Sequence, residues 1–345
     1  MNVLIFRIGS IGDTIASLPC FHEIRRQHPN SKVTLLTNLP NDTRGLAISS
    51  SEVLNNSNLV DATINYRIKD ISIELFKTLR IEVKRNNISL AYYLMPVRSK
   101  LALYRDYAFL KLIGIKRIYG ISLFSNHTNL AQRLGINAHQ NSVNPNFEPE
   151  YQRLYRLTFP NLSPSTLTLS DFNLNLQNFE IQAFDAKFSN ISMNKKSIAI
   201  SIASKSNSDI KDWGKKNWKK LIREMSVIYP EFTLIAIGAD SDKDIHEEIL
   251  KCWSGNRVNF CGILSVRESA IVLSRCKVMI CNDSGPMHLG AIVGLPVISL
   301  FSNENKPGIW YPWGNEKNVI RVLGDAPLTS IAPKLVLDKL NTILL

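Results

Sequence analysis

No apolar run in this chain of 345 residues approaches the length of about 20 that a membrane-spanning helix needs. The opening Met1–Phe6 is apolar, but Arg7 and the Gly9-Ser10-Ile11-Gly12 run cut it off well short of a secretory signal, so a cytoplasmic protein is expected. Cysteine is sparse. Cys20, Cys252, Cys261, Cys276 and Cys281 are scattered and form no C-x-x-C pair, which argues against a zinc site or a disulfide framework and predicts buried free thiols. The dinucleotide fingerprint G-x-G-x-x-G is missing too: Gly9 and Gly12 are the only glycines after the first apolar run, and no acid ends the second, which disfavours nicotinamide cofactors. No nucleic-acid motif stands out, and the basic residues are not interleaved with a regular aromatic platform.

What is present suits two ordinary domains. A chain of 345 residues exceeds the size at which one core usually stops growing, and 45% hydrophobic with 20% charged residues is a soluble globular composition. Lys and Arg outnumber Asp and Glu by 41 to 29, a net charge of +12, which favours an anionic partner. Much of that excess lies in the first half, at residues such as Lys77, Arg80, Lys84, Arg98, Arg105 and Lys111. It points to an anion-facing N-terminal lobe, with a merely solvated basic surface as the competing reading.

Apolar runs alternate with helical patterns. Val3–Phe6, a helix over 14–26 and a strand over 32–37 form the order of a right-handed parallel unit, extended by strands at 62–66, 90–94 and 117–120 and helices at 71–86 and 98–112. From about residue 139 to 196 the pattern dissolves into Asn, Ser, Pro and Gln, apart from one helix near 149–157. Regularity returns with strands at 197–202, 233–238, 258–260, 278–282 and 297–301, helices between them, and a helical tail over 333–344. Ser265 with Glu268 makes a capping box. The expected architecture is α/β: an N-terminal lobe over 1–175, a linker over 176–196, a C-terminal lobe over 197–330 and a terminal helix over 331–345. Two Rossmann-like parallel sheets should face a central cleft, with ligands at the carboxyl ends of the strands.

Three loops could carry chemistry. Arg7-Ile-Gly-Ser-Ile-Gly-Asp13 follows the first strand and opens the first helix, whose positive end favours an anionic carboxylate and makes Asp13 a candidate proton acceptor; plain helix capping is the alternative. Cys281-Asn-Asp-Ser-Gly-Pro-Met-His288 ends a strong strand, and the turn around Ser284 and Gly285 should leave backbone N–H groups open to a phosphate. Asp283 would accept from sugar hydroxyls, and His288 would either contact ligand or pack within the helix. Ser204 and Lys205, with Lys211-Asp-Trp213 beyond, suit a diphosphate, although a solvated lysine pair is an ordinary outcome. Asp240 and Asp242 begin a helix; a ribose-binding role is assigned to Asp240 and a surface role to Asp242, with no metal site.

Taken together these residues resemble glycosyltransferase family 9, the bacterial lipopolysaccharide heptosyltransferases. The likeness spans nearly the whole chain and is strongest at Ile5-Phe-Arg-Ile-Gly-Ser-Ile-Gly-Asp-Thr14 and at Asn282-Asp-Ser-Gly-Pro-Met-His-Leu289 followed by Gly294-Leu-Pro-Val297. It implies the GT-B glycosyltransferase fold, with an N-terminal lobe for the acceptor and a C-terminal lobe for a nucleotide sugar, typically ADP-heptose. By motif position, Asp13 matches the presumed base, Lys211 a lysine facing the donor phosphates, Asp283, Ser284 and Gly285 the donor loop, and Asp240 a ribose-binding glutamate. Gly9, Ser10, Gly12 and Arg98 become the acceptor-side candidates. The chain departs from the family at Gly214, where proline is usual, at Asp240, shorter than glutamate, and at Phe301-Ser302, which lacks a common glycine.

The resulting expectation is an inverting, metal-independent transfer of sugar from a nucleotide diphosphate to an anionic glycolipid or saccharide, with no cofactor and peripheral contact with the inner membrane surface. The alternatives are a nucleotide-sugar epimerase of the same fold and a non-catalytic basic binder of nucleic acid or membrane.

Overall fold

The computed structural model describes residues 2–39, 48–67, 72–122, 147–191, 196–202 and 209–345; Ser204 and Lys205 lie outside them. The chain forms two compact units, which divide between Phe172 and Asn173. Lys306–Trp310 belongs with the first unit and Tyr311–Leu345 with the second.

In the first unit, strands β1 (Asn2–Phe6), β2 (Val33–Asn38), β3 (Ala62–Tyr66), β4 (Ile88–Tyr93) and β5 (Arg117–Tyr119) alternate with helices α1 (Ile11–Gln27), α2 (Ser50–Leu54), α3 (Ile73–Arg85) and α4 (Lys100–Leu112). The strands are parallel in the order β3-β2-β1-β4-β5. Val3–Phe6 is buried on both sides of the sheet, which is why it reads as one unbroken apolar run. Helix starts are set by serine: Ser72 and Ser99 accept from Leu75 N and Ala102 N at 3.2 and 3.3 Å. On one face Leu79 and Val83 of α3, Leu110 of α4 and Ile113 just beyond it join Leu4, Phe6 and Tyr93 in a single core. Helix α5 (Glu150–Thr158) closes this unit.

The second unit begins with helix α6 (Asn178–Lys187), inside the stretch expected to be an irregular linker. It is docked rather than free. Arg267, buried, pairs with both Glu180 carboxylate oxygens at 2.7 Å and donates to the carbonyls of Leu174 and Asn175. Lys187–Glu268 and Arg275–Asp185 flank it at 2.8 and 2.6 Å. These partners are about 80 to 90 residues apart in sequence, so no local pattern announces the helix's anchorage.

Strands β6 (Ser197–Ser201), β7 (Thr233–Ala236), β8 (Arg257–Asn259), β9 (Val278–Asn282), β10 (Val297–Phe301) and β11 (Val319–Arg321) form a second parallel sheet, ordered β11-β10-β9-β6-β7-β8. The three-residue β11 lies outside the strands expected from the sequence. Helices α7 (Lys215–Ile228), α8 (Lys243–Leu250), α9 (Val266–Arg275), α10 (Gly285–Ile292) and α11 (Pro333–Leu344) connect and cover it. The predicted Ser265–Glu268 capping box caps α9, at 2.7 and 3.2 Å. Trp213 and Trp218 stack edge to face at 5.0 Å inside the core, and Trp213 donates to the carbonyl of Ile331 at 2.8 Å. None of the five cysteines is bridged, and all but Cys252 are buried.

Strand order reverses at β1 in the first sheet and at β6 in the second, each having its sequence neighbour on one side and a later strand on the other. Ligands of open parallel sheets bind at such switch points, beyond the carboxyl ends of the strands. The loops after β1 and β4, and those after β6 and β9, are therefore where function belongs.

Candidate functional site

The loop after β1 carries Asp13 at the third position of α1. Its Oδ2 accepts from the N–H of Ser10 at 2.9 Å and from the Ser10 hydroxyl at 3.1 Å, closing a capping box. Oδ1 lies 3.4 Å from Nη2 of Arg7, and the side chain keeps 23% of its surface exposed. One carboxylate oxygen thus closes the helix and the other faces Arg7, while the side chain as a whole stays partly exposed. Gly9 makes this possible, because a Cβ there would fall 2.5 Å from the Asp13 Cβ. Gly12 is buried in the first turn, whereas Ser10 is exposed.

Arg7, which composition did not single out, is the centre of this site. It is wholly buried and donates to the carbonyls of Leu94 and Asp13, tying the loop after β4 to the first turn of α1. Burial lowers its pKa, while the charges of Asp13 and Glu150 act the other way. Arg153 donates to the carbonyl of Met95 at 2.8 Å and pairs with Glu150 at 2.6 Å, so a second arginine braces the same loop from α5. Arg98 is half-buried after β4, within electrostatic reach of Tyr66 and Tyr93, whose phenols burial pushes up, that of Tyr66 to about 12.

In the second unit, β9 delivers Asn282 and Asp283. The Asn282 amide donates to the carbonyl of Lys211 at 2.9 Å, and Lys211 Nζ donates to Asp283 Oδ2 at 2.7 Å. Asn305 donates to the same oxygen at 2.9 Å and is itself held through its carbonyl by Arg321. The structure therefore brings together Lys211 and Asp283, which the sequence separates by 72 residues. Lys211 does not stand alone toward solvent; it is a partly buried cation with a carboxylate beside it. The Ser284 hydroxyl donates to the carbonyl of Asn282 at 3.1 Å and does not cap the N-terminus of α10. His288 is buried on that helix.

The turn after Lys211 explains one departure from the family pattern. Gly214 adopts φ +85° and receives the Asp212 carboxylate on its N–H at 2.8 Å. Proline, locked near −65° and without an N–H, could adopt neither feature.

Asp240 is exposed after β7, and its carboxylate lies close against Gly262, whose added Cβ would come within 2.7 Å of it. Asp242 corrects the expectation of a surface role: it is buried, and its carboxylate accepts from Ala239 N at 3.1 Å. Its carbonyl meets Nδ1 of His246 at 2.8 Å, while Nε2 of His246 accepts from the N–H of Ile202 at 2.9 Å. Since Ile202 can only donate, the proton sits on Nδ1. Burial lowers the pKa of this histidine. His246 thereby fixes the residue that follows β6, a role invisible to motif reading because a lone helix histidine carries no local signature.

Comparisons with known proteins bear on the family and the fold. The family model described as Glycosyltransferase family 9 (heptosyltransferase) matches residues 108–334. Lipopolysaccharide heptosyltransferase 2 of Escherichia coli K12 is 26% identical over 153 residues, a stretch covering 39% of this chain and 43% of that protein. The match thus spans less than half the length of this curated relative. Among solved structures, a glycosyltransferase family 9 protein from Veillonella parvula superposes with a TM-score of 0.74 at 16% identity, covering 99% of this chain and 97% of that one. An E. coli heptosyltransferase solved with ADP gives 0.69 at 17%, covering 99% of each. These likenesses establish the fold, two parallel-sheet α/β lobes of the GT-B type. With more than half of its length matched by the family's own model, the chain belongs to glycosyltransferase family 9.

Proposed function

We propose that this chain is an inverting, metal-independent glycosyltransferase that moves a sugar, heptose from ADP-heptose, onto a lipopolysaccharide core or related surface glycan at the cytoplasmic face of the inner membrane. The observation that carries this reading is the Asp13 carboxylate, fixed by Ser10 and Arg7 and still partly exposed at the carboxyl edge of the first sheet. A base held in one orientation is what deprotonation of an acceptor hydroxyl requires. As that oxygen forms its bond to the anomeric carbon, the bond from this carbon to the diphosphate oxygen breaks on the opposite face. The hydroxyl proton passes to Asp13, and the electron pair leaves with the diphosphate.

Charge growing on the leaving diphosphate falls to Lys211, to Ser204 and Lys205, and to the backbone N–H groups around Ser284 and Gly285. Asp283 orients Lys211. Asp240 takes the ribose hydroxyls, with His288 lining the same loop. Gly9, Ser10, Gly12 and Arg98 form the acceptor side, where the basic first half suits an anionic glycolipid. The reaction needs no cofactor.

The test is incubation with ADP-heptose and a heptose-deficient lipopolysaccharide core, with and without chelator. Transfer with inverted anomeric configuration, undiminished by chelator, is expected. Conversion of donor to a stereoisomer without acceptor would establish the epimerase instead, and loss of transfer on chelation would remove the metal-independent mechanism.

A further inference from the structure

Helices α3 and α4 lie side by side on one face of the first sheet, joined by the edge-to-face contact of Phe76 and Phe109 at 5.3 Å. Their inner residues fill the core, yet their outer faces are not the polar surface that this arrangement usually leaves. On α4 the exposed stripe at three- and four-residue spacing runs Leu101, Tyr104, Ala108 and Leu112, with Leu101 82% and Leu112 61% exposed. On α3 it includes Ile73, 76% exposed, and Ile81. Between and around these sit Lys77, Arg80, Lys84, Lys100, Arg105 and Lys111, all exposed. The two helices carry seven basic side chains against three acidic ones, and one of the acids, Asp106, is buried.

We infer that the outer face of α3 and α4 docks this protein onto an anionic lipid bilayer. Bulky aliphatic side chains exposed singly are ordinary, but a row of them across two adjacent helices, set among cations, is a contact surface. The occupant must accept both kinds of group. A second copy of the same face would oppose like charges. A nucleic acid would satisfy the cations but offers the aliphatic chains no partner, and Tyr104 is the single aromatic among the exposed side chains of these two stripes. A bilayer of anionic lipid takes aliphatic side chains at its acyl boundary and cations at its headgroups. The inference deepens the membrane location in the proposed function by naming the face that makes contact, and vesicle binding is read without sugar transfer, so the two fail separately.

The test is co-sedimentation of the full chain with phosphatidylglycerol/phosphatidylethanolamine vesicles and, separately, with phosphatidylcholine vesicles. Binding to the anionic vesicles that weakens with salt, and little to the neutral ones, is expected. Each cation near the surface is worth about five-fold in partitioning, so Lys77→Gln/Arg80→Gln/Lys84→Gln should weaken binding roughly a hundred-fold. Ile73→Ser/Leu101→Ser/Leu112→Ser should weaken it at least about ten-fold with an unchanged thermal transition, since these side chains pack against nothing essential to the core. Removing as many charges from the second unit, Lys216→Gln/Lys220→Gln/Lys317→Gln, should leave it intact. Equal binding to neutral vesicles, or wild-type binding by the serine variant, would overturn the inference. So would full competition by a soluble RNA, which would make the face a polyanion patch.

Discussion

Arg7, wholly buried, reaches past the backbone of Asp13 so that its guanidinium holds both the carbonyl of that residue and, at 3.4 Å, its carboxylate. The same group bonds the carbonyl of Leu94, 87 residues away. A charge sunk under a loop in this way is costly unless it organises its surroundings. Here it sets the position of the proposed base relative to the loop that follows β4.

Two substitutions separate the base from its brace. Asp13→Asn keeps an acceptor for Ser10 but removes the proton acceptor, so turnover should fall about 10²–10⁴-fold while donor affinity holds. Arg7→Met leaves the carboxylate but strips the buried Leu94 carbonyl of this donor, which costs about 1–3 kcal/mol for a group left unsatisfied, while the Asp13 carbonyl keeps the Ser17 hydroxyl. It should lower the thermal transition as well as turnover. Wild-type kinetics in Asp13→Asn, measured with donor and acceptor together, would remove Asp13 from the chemistry.

Lys211 and Asp283 form one unit and should be read as one. If Lys211 meets the leaving diphosphate, Lys211→Ala should reduce turnover by about 10²–10³, comparable to removing one donor from an anion-stabilising site. It should also reduce the thermal stabilisation produced by a saturating nucleoside diphosphate. Unchanged kinetics together with unchanged nucleotide stabilisation would leave the lysine as a structural partner of Asp283.

His246 makes stability depend on pH. Its pKa is lowered in the folded protein, so as pH falls through the ordinary value of 6.5 the unfolded chain takes up a proton that the folded chain refuses. The stabilisation is complete above 6.5 and declines below it, down to the lowered folded value. His246→Gln, which can keep an acceptor for Ile202, should unfold with a shallower pH dependence between pH 7.5 and 5. An identical slope in the two proteins, followed by thermal melts across that range, would dismiss this histidine as the cause.

The alternation of β-branched runs with amphipathic stretches is enough to place every strand of both sheets except β11, because burial on both faces imprints a parallel strand with an unbroken apolar run. Asp13 and the Asn282–His288 loop were legible because glycines and an acid after a strand are a local pattern. Helix α6 was missed, since its anchors lie on α9. Asp242 was misread because its carboxylate turns back onto Ala239, a turn that spacing alone does not distinguish from a solvent-facing acid.

By itself the sequence determined most of the succession of elements, the two parallel sheets and the family motifs, all of which depend on residues within a few positions of one another. Tertiary structure alone decided that Arg7 lies beneath Asp13, that Lys211 is partnered by Asp283, and that a histidine on α8 holds the end of β6. These relations join segments that are remote in the chain or depend on burial, and both the strength of a charge pair and the cost of burying it are set by distances and solvent access that exist only once the sheets have formed.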